Sequence, residues 1–247
     1  LPPAPARTAD DETRDDKVLL DARRLLSRSY LERGEALLRL LDDCEAEAAD
    51  AHRLVDAVRD APLAAQRAML VARDSCGRTP LHLAVTRGDV GLCQKILRLD
   101  DGGHAAYALD CRRNTPLMLA AMAGRALIVR ELLAGGGYAA TGMLREKNCD
   151  LMSALQLAVV DEAPGNGEVV RLLVEAGAPI DAPCWDVTPL MAAAASGHHW
   201  AVQTLLELGA DYDMISSAGM AALDYARDQA TAQLVLDFME GRLLRGE

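Results

Sequence analysis

The sequence predicts an all-α solenoid, in which helix–turn–helix units stack around one continuous core. A six-residue motif occurs five times, and its copies begin 36, 38, 35 and 33 residues apart. The copies begin at Thr79, Thr115, Ser153, Thr188 and Ala221. A repeat of this length is typical of solenoids. The composition agrees, because 51% of the residues are hydrophobic and only 3% are aromatic, which favours helices over a β-sandwich.

Each copy of the motif has the residues expected of two short helices. The first copy reads TPLHLA from Thr79, and a Thr–Pro pair suits a helix start because Thr caps the helix and Pro needs no N–H donor there. A second apolar run follows, with an aliphatic pair such as Leu132 and Leu133. Glycines mark the turns and helix ends, as at Gly88 and Gly209. One such unit cannot bury both of its faces, so several must stack.

These motifs resemble the ankyrin-repeat family. The segment Gly77-x-Thr79-Pro80-Leu81-His82-x-Ala84 matches the family signature, and residues 206–211, which read LELGAD, match the family's second-helix ending. The resemblance covers about residues 74–241. It implies a concave surface made of hairpin tips and exposed positions on the first helices, where partner proteins bind.

The sequence departs from the family pattern in two ways. The signature His is present at His82 and is replaced in the later copies by Met118, Gln156, Met191 and Asp224. Because that His usually bridges neighbouring backbone loops, the replacements predict weaker hydrogen bonding between repeats. Two linkers, residues 100–110 and 135–150, are longer than the family norm. Such insertions are either tolerated surface loops or part of the binding face.

The sequence predicts three segments. Residues 1–14, rich in Pro and then acidic, form a disordered tail. The PxxPxR pattern from Pro2 to Arg7 is of the kind that SH3 domains bind, and the alternative is a flexible tail without that role. Residues 15–72 have helical apolar spacing without the motif and form a helical N-terminal cap or a degenerate repeat, with an independent partner-binding module as the alternative. Residues 73–247 hold about five ankyrin repeats, of which the last is a C-terminal cap.

Several kinds of site are not predicted. The sequence has no phosphate loop, dinucleotide motif, HExxH or GxSxG segment, so we expect no enzyme and no cofactor. His198 and His199 are adjacent and suit a solvated turn better than a metal site. Cys111, Cys149 and Cys184 each lie four residues before the motif. A spacing of about 8–10 Å between packed helices predicts that this row forms no disulfide ladder.

Charge and context narrow the choice of partner. The net charge of −11 disfavours nucleic acid and anionic membranes, and no apolar run is long enough for membrane insertion. We expect a monomer with reduced thiols in the cytoplasm, with the nucleus as the alternative. The chain begins with Leu1 rather than Met, which is compatible with a segment of a longer protein.

We therefore predict a non-catalytic adaptor or scaffold that binds another protein or peptide on the concave hairpin and first-helix face. The alternative is a regulatory or targeting region of a larger enzyme or channel. Trp185 combines predicted exposure with the residue type common in binding hot spots. The change from basic to acidic residues along the hairpins suits a peptide of matching polarity. The candidate partner-binding residues are Arg78, Arg87, Arg112, Arg113, Met122, Asp150, Trp185 and Asp186.

Overall fold

A computed structural model describes residues 35, 38–39, 41, 52–53, 55–56, 59, 63–100, 103–134 and 138–245. The predicted tail, residues 1–14, with its SH3-like pattern, lies outside the described residues. So does most of the predicted N-terminal cap, and that interpretation stays a prediction. The described positions before residue 60 are helical, and Leu38, Leu41 and Val55 join the core of the repeats.

Helices account for most of the described chain. In chain order they are α1 (Leu63–Leu70), α2 (Pro80–Arg87), α3 (Val90–Leu99), α4 (Pro116–Met122), α5 (Ala126–Ala134), α6 (Tyr138–Arg145), α7 (Ala154–Val160), α8 (Asn166–Glu175), α9 (Pro189–Ser196), α10 (His199–Glu207) and α11 (Gln229–Arg245). The described residues contain no β-strand and a single isolated bridge, between Cys184 and Val187. The predicted all-α class is confirmed.

The helices form two rows. The first helices of successive repeats, α2, α4, α7 and α9, pack side by side. The second helices, α3, α5, α8 and α10, form the other row, and α11 packs on α10. This arrangement is the predicted solenoid of stacked helix pairs.

Small residues let the first helices approach one another. The last position of the motif is Ala in each of the first four copies, and Ala84, Ala120, Ala158 and Ala193 are fully buried. Around them Leu, Val and Met side chains fill a continuous core. A close turn contact depends on Gly124, whose φ is +65°. A Cβ atom there would lie 2.4 Å from the carbonyl oxygen of Pro164 in the next repeat.

The fifth copy of the motif differs from the other four. Residues 222–225 form a turn instead of a helix. Ala221 stands where the other copies have Thr or Ser, and no Pro follows it, so both helix-start residues are missing. The Asp224 carboxylate instead accepts the Ala221 N–H at 2.8 Å. The chain resumes its helical course in the 17-residue α11, whose Val235 is buried.

The two long linkers are part of the packed structure. The second one contains α6, and its Met143 and Leu144 are buried. In the first linker the Asp100 carboxylate accepts the backbone N–H groups of residues 104 and 105. The ring of Tyr107 then lies against α6, 3.6 Å from the position that a Cβ atom on Gly142 would take. The linkers therefore contact each other, which an unconstrained surface loop would not require.

Hydrogen bonds between repeats survive some of the substitutions at the signature His. The Nδ1 atom of His82 accepts the Thr79 N–H at 3.1 Å, and Nε2 donates to the Asn114 carbonyl of the next repeat at 3.0 Å. Gln156 does both, because its Oε1 accepts the Ser153 N–H and its Nε2 donates to the Ala182 carbonyl at 3.1 Å. The prediction of a weaker connection is therefore wrong at Gln156.

The two methionines at this position make only the hydrogen bond within their own repeat. The sulfur atoms of Met118 and Met191 accept the N–H groups of Thr115 and Thr188 at 3.5 Å, but a thioether has no proton to donate onward. Between the second and third repeats the Asn148 side-chain amide donates to the Asn114 side-chain carbonyl at 3.1 Å and supplies another link.

The Gln156 bridge gives a stability prediction. Gln156→Met is expected to lower the free energy of unfolding by about 1 kcal/mol, because the Ala182 carbonyl loses its donor. Urea titration measures this change. Met118→Leu serves as the control, since it conserves volume and removes only the weak N–H to sulfur hydrogen bond within its own repeat, and it should cost clearly less. Equal losses for the two variants would contradict the role given to Gln156.

His82 gives a prediction about pH. Burial lowers the pKa of His82 below its usual value. Protonation of Nδ1 would also remove the acceptor of the Thr79 N–H and bring two hydrogen atoms into close contact. As the pH falls below about 6.5, the unfolded chain takes up a proton at this residue and the folded chain does not. The stability advantage of the wild type over His82→Gln should therefore shrink between about pH 7 and pH 5. Urea titrations of both proteins across this range measure it, and a constant or growing advantage would contradict it.

Candidate functional site

The first three of the five hairpins share one local design. We number all five by the repeat that they precede, as residues 74–78, 110–114, 148–152, 183–187 and 216–220. In the second hairpin the Asp110 carboxylate accepts the N–H groups of Arg112 at 2.8 Å and Asn114 at 2.7 Å. Asp74 and Asn148 hold the first and third hairpins in the same way. The side-chain oxygen at this position accepts backbone N–H groups of the turn, which have no β-strand partner.

Neighbouring hairpins are hydrogen-bonded to each other. The N–H of Cys111 donates to the Cys76 carbonyl at 2.8 Å, and the N–H of Cys149 donates to the Arg112 carbonyl at 2.9 Å. The hairpins therefore lie closer together than the helix spacing used in the sequence analysis. The five cysteines among the described residues, Cys76, Cys93, Cys111, Cys149 and Cys184, are nonetheless free thiols.

The fourth hairpin is built differently. Pro183 occupies the position of the turn-forming carboxylate, and Cys184 and Val187 exchange two backbone hydrogen bonds of 2.9 Å. Trp185 and Asp186 between them have φ values of 48° and 68°, as in the tight turns that require two residues with positive φ. The indole N–H of Trp185 donates to the Asp150 carbonyl at 3.0 Å, yet 73% of the residue is exposed. The hydrogen bond orients an exposed aromatic ring.

Several of the predicted charged residues have partners within the fold. The Arg78 guanidinium binds the Asp74 carboxylate at 2.7 Å, and Arg87 donates to the Leu41 carbonyl at 3.3 Å. The Arg112 guanidinium reaches the Asp150 carboxylate of the next hairpin at 3.0 Å. The predicted change of sign along the hairpins thus includes an ion pair between its basic and acidic members.

The other three predicted residues are exposed. Asp186 accepts the N–H of Ser217 in the fifth hairpin. Hydrogen bonding from the Ser217 side chain, and then from this N–H, lowers the pKa of the Asp186 carboxyl group. Met122 is 40% exposed near the end of α4. Arg113 is exposed with a φ of 60°, and among the described residues its guanidinium has no hydrogen-bond or ion-pair partner.

The sequence analysis missed two exposed apolar residues on the same surface. Val160 lies seven residues after the start of the third motif, and the equivalent residues in the other first helices are Thr86, Met122 and Ala195. All four are exposed. The degenerate third motif obscured this register. We call this row and the hairpin tips the hairpin face.

Leu151 is the second residue that was missed. It is 44% exposed and has a φ of 58° at a hairpin position that the first and fifth hairpins give to Gly77 and Gly219. Positive φ costs a residue with a Cβ atom about 1–2 kcal/mol. A strained, exposed Leu is poorly explained by stability and is consistent with a role at a binding surface. Comparison of the hairpins position by position would have found it.

Leu151 gives a second stability prediction. Leu151→Gly is expected to raise the free energy of unfolding by about 0.5 kcal/mol, because relief of backbone strain exceeds the entropic cost of Gly. The reverse change, Gly219→Ala, should cost about 1 kcal/mol, since its new Cβ meets open space and only the φ of +74° opposes it. Urea titration of both variants measures these changes. If Leu151→Gly lowers the free energy of unfolding as much as removal of a buried Leu side chain does, Leu151 is not a strained surface residue.

The described residues offer little that suggests other kinds of site. They contain no group of three or more His, Cys, Asp or Glu side chains arranged to hold a metal ion. In this part of the chain no helix combines the length and the apolar character that a bilayer crossing requires. His198 is engaged structurally, since its Nδ1 atom lies 2.9 Å from the Val159 carbonyl oxygen and its ring stacks on Trp200.

Comparison with known proteins agrees with this architecture. The model of the ankyrin-repeat family, in three copies, matches residues 46–141, 81–184 and 138–216. The human B-cell lymphoma 3 protein is 31% identical over 172 residues, which are 67% of this chain and 36% of that protein. The mouse B-cell lymphoma 3 protein homolog is 29% identical over 179 residues, 70% of this chain and 39% of that protein. The chain thus spans less than two fifths of these relatives, and it belongs to the ankyrin-repeat family.

Proposed function

We propose that this chain binds a partner protein or peptide on its hairpin face and catalyses no reaction. Ankyrin repeats mediate protein–protein interaction. The observation that carries the proposal is the exposure of large apolar residues on the hairpins and first helices: Trp185 at 73%, Leu151 at 44%, Met122 at 40% and Val160 at 39%. Exposed apolar residues gathered on one face of a protein mark a site of interaction.

The form of the face supports an adaptor or scaffold role. Its residues lie on hairpins that are joined by backbone hydrogen bonds and on helices that pack closely through buried Ala residues. A partner therefore meets a preorganised surface, and little ordering is needed on binding. We propose a monomer that acts in the cytoplasm or the nucleus. The net charge of −11 disfavours nucleic acid as the ligand. In the alternative role, as a regulatory or targeting region of a larger enzyme or channel, the same face would serve.

Affinity capture from cell lysate tests the proposal. A Trp185→Ala, Met122→Ala double variant should retain a specific partner at least about tenfold less than the wild type, because aromatic and Met anchors dominate such interfaces. The matched control is Leu127→Ala, which removes a 60%-exposed apolar side chain from the second-helix row. Circular dichroism verifies that all three proteins fold. Equal retention by the double variant and the control would place the interface elsewhere.

A further inference from the structure

Charge is distributed unevenly along the stack. Residues 63–171 carry 13 Lys or Arg and 11 Asp or Glu, whereas residues 172–226 carry no Lys or Arg and seven Asp or Glu. The acidic segment comprises the fourth hairpin, α9, α10 and the fifth hairpin. The stack therefore changes from mixed charge to acidic charge at the repeat whose hairpin carries Trp185.

The carboxylates of the fourth hairpin and of the turns leading to the fourth and fifth hairpins keep their charge uncompensated. Basic side chains from outside the segment reach it, but Arg171 pairs with Glu207 on a second helix at 2.7 Å. Lys147 donates to the Pro183 carbonyl at 3.0 Å, and Arg227 donates to the Ser196 carbonyl at 3.2 Å. Among the described residues no Lys or Arg forms an ion pair with the carboxylates of this hairpin and these turns. Those carboxylates are Asp181, Asp186, Asp211 and Asp213.

Hydrogen bonds hold these carboxylates together. Asp181 accepts the N–H of Asp211 at 3.0 Å, and Asp211 accepts the N–H of Asp213 at 2.9 Å. Asp186 accepts the N–H of Ser217, which joins the fourth hairpin to the fifth. These bonds join Asp181, Asp211 and Asp213 in one group and tie Asp186, the neighbour of Trp185 in the chain, to the fifth hairpin. Ile215, which directly precedes the fifth hairpin, is 67% exposed.

The first helix of the fourth repeat has small side chains at two positions. At the fifth position of the motif the first three copies have Leu83, Leu119 and Leu157, and the fourth copy has Ala192. Seven residues after the motif start, α9 has the exposed Ala195 where α4 has Met122 and α7 has Val160. In α9, small side chains thus stand where the preceding first helices have larger ones.

We propose that this part of the hairpin face binds an extended segment of another protein in which Lys or Arg residues surround one large apolar residue. The apolar side chain packs between Trp185 and the small side chains of α9, and the basic side chains face Asp181, Asp186 and Asp213. The inference rests on the proposed function and adds the chemistry of the partner. Charge complementarity of this kind sets specificity and the rate of association.

Selection from a library of random peptides of about ten residues, enough to span two repeats in extended form, tests the partner chemistry with the full chain as bait. Enriched peptides should carry Lys or Arg around a Leu, Met or aromatic residue. Enrichment of acidic or uncharged peptides would overturn the basic chemistry proposed for the partner. If those peptides also fail to bind the Trp185→Ala, Met122→Ala variant, the hairpin face would still be the binding site and the proposed function would stand. Absence of any enriched peptide would also overturn the inference about the partner's chemistry, and the lysate capture experiment would then decide the proposed function separately.

A charge-removing variant tests the location. Asp181→Asn, Asp186→Asn and Asp213→Asn together keep the oxygen acceptors for Asp211 and Ser217, and Asn tolerates the positive φ at residue 186. The selected basic peptide should bind this variant about tenfold more weakly than the wild type at low salt, and the difference should shrink at about 1 M ionic strength. Isothermal titration calorimetry measures both.

The control variant removes as many charges from elsewhere in the fold: Glu131→Gln, Glu168→Gln and Glu240→Gln, on α5, α8 and α11. It should bind the peptide as the wild type does. If both variants bind the peptide equally weakly, the loss would follow from net charge alone, and the assignment of the site to the hairpins would be overturned. Dimerisation of the wild type that Trp185→Ala abolishes, measured by analytical ultracentrifugation, would give the surface to a second copy of the chain and would also overturn it.

Discussion

The stack depends on hydrogen bonds that begin in one repeat and end on the backbone of the next. At the hairpins, Cys111 and Cys149 donate to carbonyl groups of the preceding hairpin, and within the core His82 and Gln156 reach forward to the following one. At the opposite end of the first helices, Arg125 donates to the Thr86 carbonyl at 2.8 Å. A helix pair buries too little surface to stand alone, so these links fix the register in which the apolar faces meet.

Because these bonds and the buried Ala residues fix the stack, the hairpin tips can carry side chains that are not optimised for stability. Trp185 is mostly exposed, and Leu151 occupies a backbone conformation better suited to Gly. The same separation is visible among the arginines: Arg78 binds a carboxylate of its own hairpin, whereas Arg113 one repeat later extends from a strained position. Folding and recognition therefore place different demands on neighbouring positions of the same hairpin.

The insertions show how a repeat fold absorbs extra sequence. The linker that contains α6 buries Met143 and Leu144, and Tyr107 from the preceding linker lies against the same helix. Two consecutive insertions have become a small packed unit attached to the stack. At the C-terminal end the opposite occurs, since the fifth copy loses its first helix and α11 packs on α10 instead.

The sequence by itself determined the helix pairs of the first four repeats, their order and the family, because Thr–Pro caps, glycine turns and Leu–Ala spacing are local features that act within one repeat. It also identified Trp185 as an exposed residue. Only the tertiary structure decided which partners the charged side chains have, since those of Arg112 and Asp186 lie one repeat away. It likewise decided that Gln156 bridges repeats as His82 does and that Leu151 is strained. Each of these depends on distances between repeats and on backbone angles, which residue types and spacing do not specify.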